Sequence, residues 1–290
     1  MDVASHFLDS GAFSLRPKAL AFAAKTGRSL WDFYNTAEFW KYMQRYVLFV
    51  KKYHIAIDLY ANVDVIGNAE LTWRNQQWLE RHGLKPVPVV HYGTDPDLKW
   101  LRHYVEKGYN LIGLGGLVGK VGKPGCTAWI DKCFDYICNT PKRLPRIKVH
   151  GFGVTNYHLM IRYPWWSVDS TTWLKVGGFG NIIVPHKRQG KFTFQQNPYI
   201  IAVSTESSKK GESGRHYLTL GPAEQKILQE WLDLIEVPLG DKDKPDSGVL
   251  NNRYFRVKAN LLFFEKLRES LPKWPWPFHL ARKQKRSLLW

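Results

Sequence analysis

The chain has 290 residues, 44% of them hydrophobic and 14% aromatic, with 42 Lys+Arg against 25 Asp+Glu and a formal charge of +17. Such apolar content excludes a disordered chain and suits one large domain or two small ones, while the positive surplus points to a polyanion, nucleic acid first. No stretch approaches the ~18–20 uninterrupted apolar residues of a membrane span, and Met1 to Ser14 lacks a basic segment followed by an apolar one, so a soluble, cytoplasmic protein with no membrane partner is expected.

Short apolar runs recur along the chain: Ser5–Leu8, His54–Leu59, Pro88–His91, Asn110–Leu114, Ile147–Gly151, Trp166–Val168 and Asn181–Val184. Runs that are apolar almost throughout predict strands covered on both faces, as in a parallel sheet. Helical spacing separates them. Trp73, Trp78 and Leu79 belong to one helix, and Leu98, Leu101, Tyr104 and Val105 to another that stops at Gly108. Cys126, Cys133 and Cys138 are too few for a disulfide framework and lack zinc-ligand spacing, so they read as buried thiols, with no metal expected.

Ser204–Gly214 reads as an exposed excursion. Beyond it, Pro222–Ile235 is a predicted helix with an apolar stripe at Ile227, Leu228, Trp231, Leu232 and Ile235. After a turn-rich stretch, Gly240–Gly248, a second helix runs from Asn252 to Leu271 with Leu261, Leu262, Phe264 and Leu267 inward. The tail from Pro272 to Trp290 mixes tryptophans with Arg282, Lys283, Lys285 and Arg286, a composition that suits either backbone contact with base stacking or docking through the tryptophans. Repeated β-then-α over the first two thirds favours an α/β fold, a TIM-like (β/α)8 barrel over residues 1–220 with C-terminal helices and a basic aromatic tail over 221–290.

In such a barrel the chemistry sits where strands end. The polar or small residues there are Asp9, Asp58, His91, Gly115, Gly116, His150 and Asp169. A pair of carboxylates in unlike environments can divide the roles of nucleophile and acid/base, whereas a lone strand-end aspartate more often caps the next turn. His91, His150, Asp58 and Asp169 could alternatively ligate a metal for hydrolysis, and a non-catalytic DNA-binding barrel is a further alternative. Gly113 to Gly119 holds four glycines in seven residues but matches neither the dinucleotide nor the phosphate loop. Backbone presented to a flat heterocycle suits it, as does tight packing at a strand end.

Four segments carry a resemblance. LDSGAFS (Leu8–Ser14) resembles the DSGGFQ motif of tRNA-guanine transglycosylases, GGLVGK (Gly115–Lys120) resembles their GGLAVGE, HGFGV (His150–Val154) is similar to their LMGVG turn, and SVDSTTW (Ser167–Trp173) stands where they carry the nucleophilic aspartate. The DSGAF and VDSTTW forms and the absence of the Cys-x-Cys-x2-Cys zinc pattern make the chain more similar to the bacteriophage 7-deazaguanine DNA transglycosylases, which would place it in a host cytoplasm.

The resemblance implies Asp169 as nucleophile and Asp9 as acid/base. It implies a base pocket of Ser10, Phe13, Asp58, the Gly115–Gly116–Leu117 backbone, His150 and Phe152, with Lys120, His150 and Phe152 departing from the family's usual residues. The implied partners are DNA and a free 7-deazaguanine such as preQ0, with no cofactor. Arg16, Lys18, Lys187, Arg188 and Lys191, with Lys25, Arg28, Lys209 and Lys210, are the expected phosphate contacts because they fall in loops or after strand ends.

Overall fold

Each predicted strand is present as a short segment, and the first six are each followed by a helix. The computed structural model describes residues 6–120, 123–154, 156–208, 210–212 and 214–280, so Lys209 and the basic tail from residue 281 lie outside the described residues. In chain order the elements are β1 (Phe7–Leu8), α1 (Ala12–Thr26), α2 (Ala37–Lys52), β2 (Leu59–Tyr60), α3 (Ala69–Arg81), β3 (Val89–His91), α4 (Lys99–Glu106), β4 (Leu111–Gly115) and α5 (Pro124–Ile137). There follow β5 (Lys148–Gly151), α6 (Tyr157–Arg162), β6 (Ser167–Val168), α7 (Thr172–Gly178), β7 (Asn181–Val184), β8 (His186–Arg188), β9 (Lys191–Thr193), β10 (Tyr199–Ala202), α8 (Pro222–Leu234) and α9 (Arg253–Ser270). No helix among the described residues is long and apolar enough to cross a membrane.

The chain groups into two compact units that interleave in sequence, rather than dividing at residue 220. Among the described residues, the first unit is drawn from 6–153, 164–168 and 275–280, and the second from 154–163 and 169–274.

In the first unit six strands lie parallel in chain order. β1 pairs with β2 (Phe7 opposite Leu59), a bridge from Ala61 to Val87 joins β2 to the start of β3, and β3, β4, β5 and β6 follow side by side. The sheet curls strongly. The Phe7 ring of β1 lies 4.5 Å from the His150 ring of β5, although four strand spacings of a flat sheet would hold those strands about 19 Å apart.

Local chemistry explains the helices on the outer side. Thr36 caps α2 by accepting from the Phe39 N–H at 3.3 Å, and Asn68 caps α3 by accepting from the Leu71 N–H at 3.0 Å. Pro124 opens α5 where a missing N–H costs nothing. In α2 the residues Phe39, Met43, Tyr46, Val47 and Val50 fall on one stripe and pack with Leu15 and Ala19 of α1, Leu79 of α3, and Val63 and Val65. All three cysteines lie on or just after α5 and are buried, and burial pushes the Cys138 thiol up to about 12. Phe278, beyond the last helix, is buried in this unit, its ring beside Phe134 and its N–H on the Arg143 carbonyl at 3.0 Å.

In the second unit β7 pairs antiparallel with β10, and β8 and β9 form a hairpin around Gln189 and Gly190, both left-handed. Asn260 of α9 accepts the Ile183 N–H at 2.7 Å, and the buried Arg256 donates to the carbonyls of Gly177 (3.1 Å) and Val249 (2.9 Å). The phase of α9 differs from expectation. Leu261 is exposed, while Ala259, Asn260, Phe263 and Leu267 point inward, because this helix buries polar groups that tie down backbone and its stripe is not purely apolar.

Candidate active site

β1 runs straight into a constrained turn. Ser10 is buried, and Gly11 takes a left-handed φ of 72° to begin α1; a Cβ at Gly11 would sit 2.6 Å from the Tyr42 hydroxyl. That hydroxyl donates to the Ser10 carbonyl, and Tyr46, one turn further along α2, donates to the Ala61 carbonyl at 2.6 Å.

The segment after β2 is anchored from several sides. Asn62 donates its side-chain amide to Thr72 O at 2.9 Å, Asn75 donates to Val63 O at 2.8 Å, Thr72 Oγ1 accepts the Val65 N–H at 2.9 Å, and Arg16 donates to Ile66 O at 2.6 Å. Between these anchors stands Asp64, 8% exposed. One carboxylate oxygen accepts from His91 Nε2 at 2.7 Å, and the other lies 3.5 Å from Ser10 Oγ, a distance too long for a strong hydrogen bond. A buried carboxylate of this kind persists only with partners, and the imidazole supplies one while leaving acceptor capacity over. The surrounding phenols feel the charge. Burial and then the Asp64 carboxylate push Tyr34 up to about 12, and Tyr42 is raised by burial and then by Asp9 and Asp64, so both stay protonated donors.

The inner face of β4 carries no side chains at two positions. A Cβ on Gly113 would lie 2.4 Å from the Phe152 ring, and one on Gly115 would lie 3.0 Å from the His91 ring. Phe152 and His150 pack edge to face at 4.5 Å, Phe7 completes the cluster, and His150 Nδ1 meets Ser167 Oγ of β6 at 2.8 Å. The Gly115 carbonyl accepts the Tyr92 N–H at 3.0 Å within the sheet, Gly116 turns the chain with φ at 71°, and the Leu117 side chain is wholly buried.

The first unit thus brings together Ser10, Asp64, His91, Gly113, Gly115, His150 and Phe152 on one face and end of a curled sheet. Asp9 directly follows β1 and is exposed. Asp169 directly follows β6, is exposed, and belongs to the second unit.

Other expected residues lie elsewhere. Asp58 precedes β2 instead of ending it; its carboxylate accepts the His6 N–H at 2.7 Å, at the end where the strands begin. It therefore joins neither the base pocket nor a ligand set with His91, because residues 53–56 form turns and the predicted strand starts only at Leu59. Phe13 is 67% exposed in the first turn of α1. Of the expected phosphate contacts, Arg16 is engaged with Ile66, Lys18 pairs with Glu38 (3.3 Å), Lys187 pairs with Glu230 (2.5 Å) and Arg188 donates to Gln196 (3.0 Å), while Lys191 is exposed on β9. Among the described residues no three His, Cys, Asp or Glu side chains converge as a metal ligand set.

Asp64 is the residue that the strand reading passes over. Its signal is the alternation Ala61-Asn62-Val63-Asp64-Val65, which extends the strand pattern past Tyr60 and places a carboxylate beyond the strand's C-terminal end. Compared with family models, with curated proteins and with solved structures, the chain matches none.

Proposed function

We propose that the protein is a DNA guanine transglycosylase that replaces guanine with a 7-deazaguanine, on a (β/α)8-type barrel. The observation that carries this reading is the buried Ser10–Asp64–His91 cluster at the C-terminal ends of β1 to β3, beside β4, whose Gly115 leaves room for the His91 ring. A fixed carboxylate with acceptor capacity to spare suits a guanine, whose N1–H and exocyclic amine donate side by side. Asp64 takes the role first expected of Asp58. The barrel assignment draws support from six parallel strands in chain order and from the contact between β1 and β5.

In the proposed chemistry the Asp169 carboxylate attacks C1′ of the nucleotide as the C1′–N9 bond breaks through an oxocarbenium-like state. Guanine leaves with a proton from Asp9, and a sugar–aspartate ester remains. The incoming base gives its N9 proton to Asp9 and displaces Asp169, so configuration is retained over two inversions. Acid/base assistance of this kind contributes about 10²–10⁴-fold. A base within a duplex must first be flipped out, at a cost of a few kcal/mol that phosphate contacts have to supply.

The test is release of labelled guanine from DNA and, separately, from tRNA in the presence of preQ0. Release from DNA supports the reading; release from tRNA alone moves it to the tRNA-acting branch, and release from neither removes it.

A further inference from the structure

We infer that the end of the first unit where the parallel strands begin is a docking surface for the phosphate backbone of a nucleic acid, separate from the end that holds the Asp64 cluster. The proposal rests on the nucleic-acid part of the function above and adds a surface to it. In a run of parallel βα units every connection from a helix to the next strand lies at one end. Here those connections precede β2, β3, β4 and β5, neighbours in the sheet. Lys51, Lys52, Arg81, Lys85, Lys107, Lys142, Arg146 and Lys148 stand on them or on the residues flanking them, and all eight are exposed.

None of these eight forms an ion pair among the described residues. The carboxylates at this end are otherwise engaged, Asp58 with the His6 N–H, Glu80 with Gln76 and the Tyr109 hydroxyl, and Asp135 with Arg143 at 2.6 Å, which leaves the exposed Glu106. The helix dipole accounts for a cation in a last turn, such as Lys51 or Arg81. It does not account for Lys85, Lys142, Arg146 and Lys148, which lie outside any helix.

Several of the cations are held in place rather than free to sweep through solvent. Arg146 lies over the Tyr136 ring at 4.4 Å, Lys148 over Trp166 at 4.6 Å, Lys52 over Tyr53 at 5.2 Å and Lys107 over Trp73 at 5.4 Å. Exposed, like-signed charges gathered at one end repel one another, and a polyanion relieves that repulsion while releasing its counterions. By contrast Arg16, Lys18, Lys187 and Arg188 already have partners within the chain.

The test compares two full-length variants of equal charge for binding to a labelled DNA duplex over a salt series, with circular dichroism confirming the fold. One carries Lys85→Gln, Lys142→Gln and Arg146→Gln; the other carries Lys41→Gln, Lys99→Gln and Lys132→Gln, exposed lysines on helices of the first unit and off these connections. The first variant should bind at least about 10-fold more weakly at low salt and lose about 2–3 from its log–log salt slope, at ~0.9 per phosphate contact, with the second close to the parent. Equal weakening of both, or of neither, would overturn the proposal, as would loss of binding to anionic lipid vesicles with DNA binding intact. Because the readout is binding, failure of base exchange on DNA would remove the function reading without touching this one.

Discussion

At the residue scale, the short contact between Asp64 and His91 is the pivot of the site. A hydrogen bond to a charged group is worth ~1.5–3 kcal/mol, so Asp64→Asn, which presents an amide donor or a neutral oxygen to His91 and to the base, should lower base exchange about 10–100-fold and leave DNA affinity unchanged. Equal losses in exchange and affinity would instead mark Asp64 as a structural group. Gly113 gives a second test. Gly113→Ala sets a methyl 2.4 Å from the Phe152 ring, and such overpacking costs ~1–3 kcal/mol; adding Phe152→Leu should restore part of the loss, measured by denaturant unfolding. His91 and His150 are legible in the sequence because each ends an apolar run, and Ser10 only through the resemblance carried by LDSGAFS. Asp64 is not legible in the same way, because the run that it follows is broken by turn residues at 53–56 and resumes as a half-polar alternation.

At the element scale, strand positions are legible because buried parallel strands are continuous apolar runs; all seven predicted strands overlap an observed one, although β2 contributes only Leu59–Tyr60. Helix phase is less legible where polar side chains serve the backbone. In α9 the buried Asn260 supports β7, which rotates Phe263 inward and Leu261 outward. Phe263→Ala should therefore destabilise by about 3–5 kcal/mol, and Leu261→Ala by no more than about 0.5 kcal/mol, in chemical denaturation. A reversed order would restore the phase expected from apolar spacing alone. The cysteines of α5 follow the buried reading. With Cys138 pushed up to about 12 and Cys133 also raised by burial, a thiol reagent should label the protein only as it unfolds.

At the scale of the whole molecule, the charge of +17 includes eight exposed cations on or beside the connections that precede β2 to β5. Net charge is legible in composition, but its placement depends on topology, because parallel βα units gather residues distant in sequence at one end. The same holds for the two units, which exchange segments at residues 154–168 and 275 and so show no boundary in composition. Alkaline stability reports on the interior as a whole. Tyr34, raised from 10 to about 12, and Cys138, raised from 9 to about 12, are held protonated in the fold. The stability that they contribute is fully present below their unfolded values and is lost as pH rises towards 12. Urea midpoints should hold up to pH 9 and fall progressively above it; a flat profile from pH 9 to 12 would show that these groups are not buried as described.

The most direct measurement of the proposed chemistry is a trapped intermediate. Guanine-labelled DNA incubated with the protein should release label when preQ0 is present and, denatured from a parallel incubation without preQ0, leave a sugar adduct that peptide mapping places on Asp169, with Asp169→Asn giving neither. Label release that persists in Asp169→Asn, or an adduct on another residue, would contradict it.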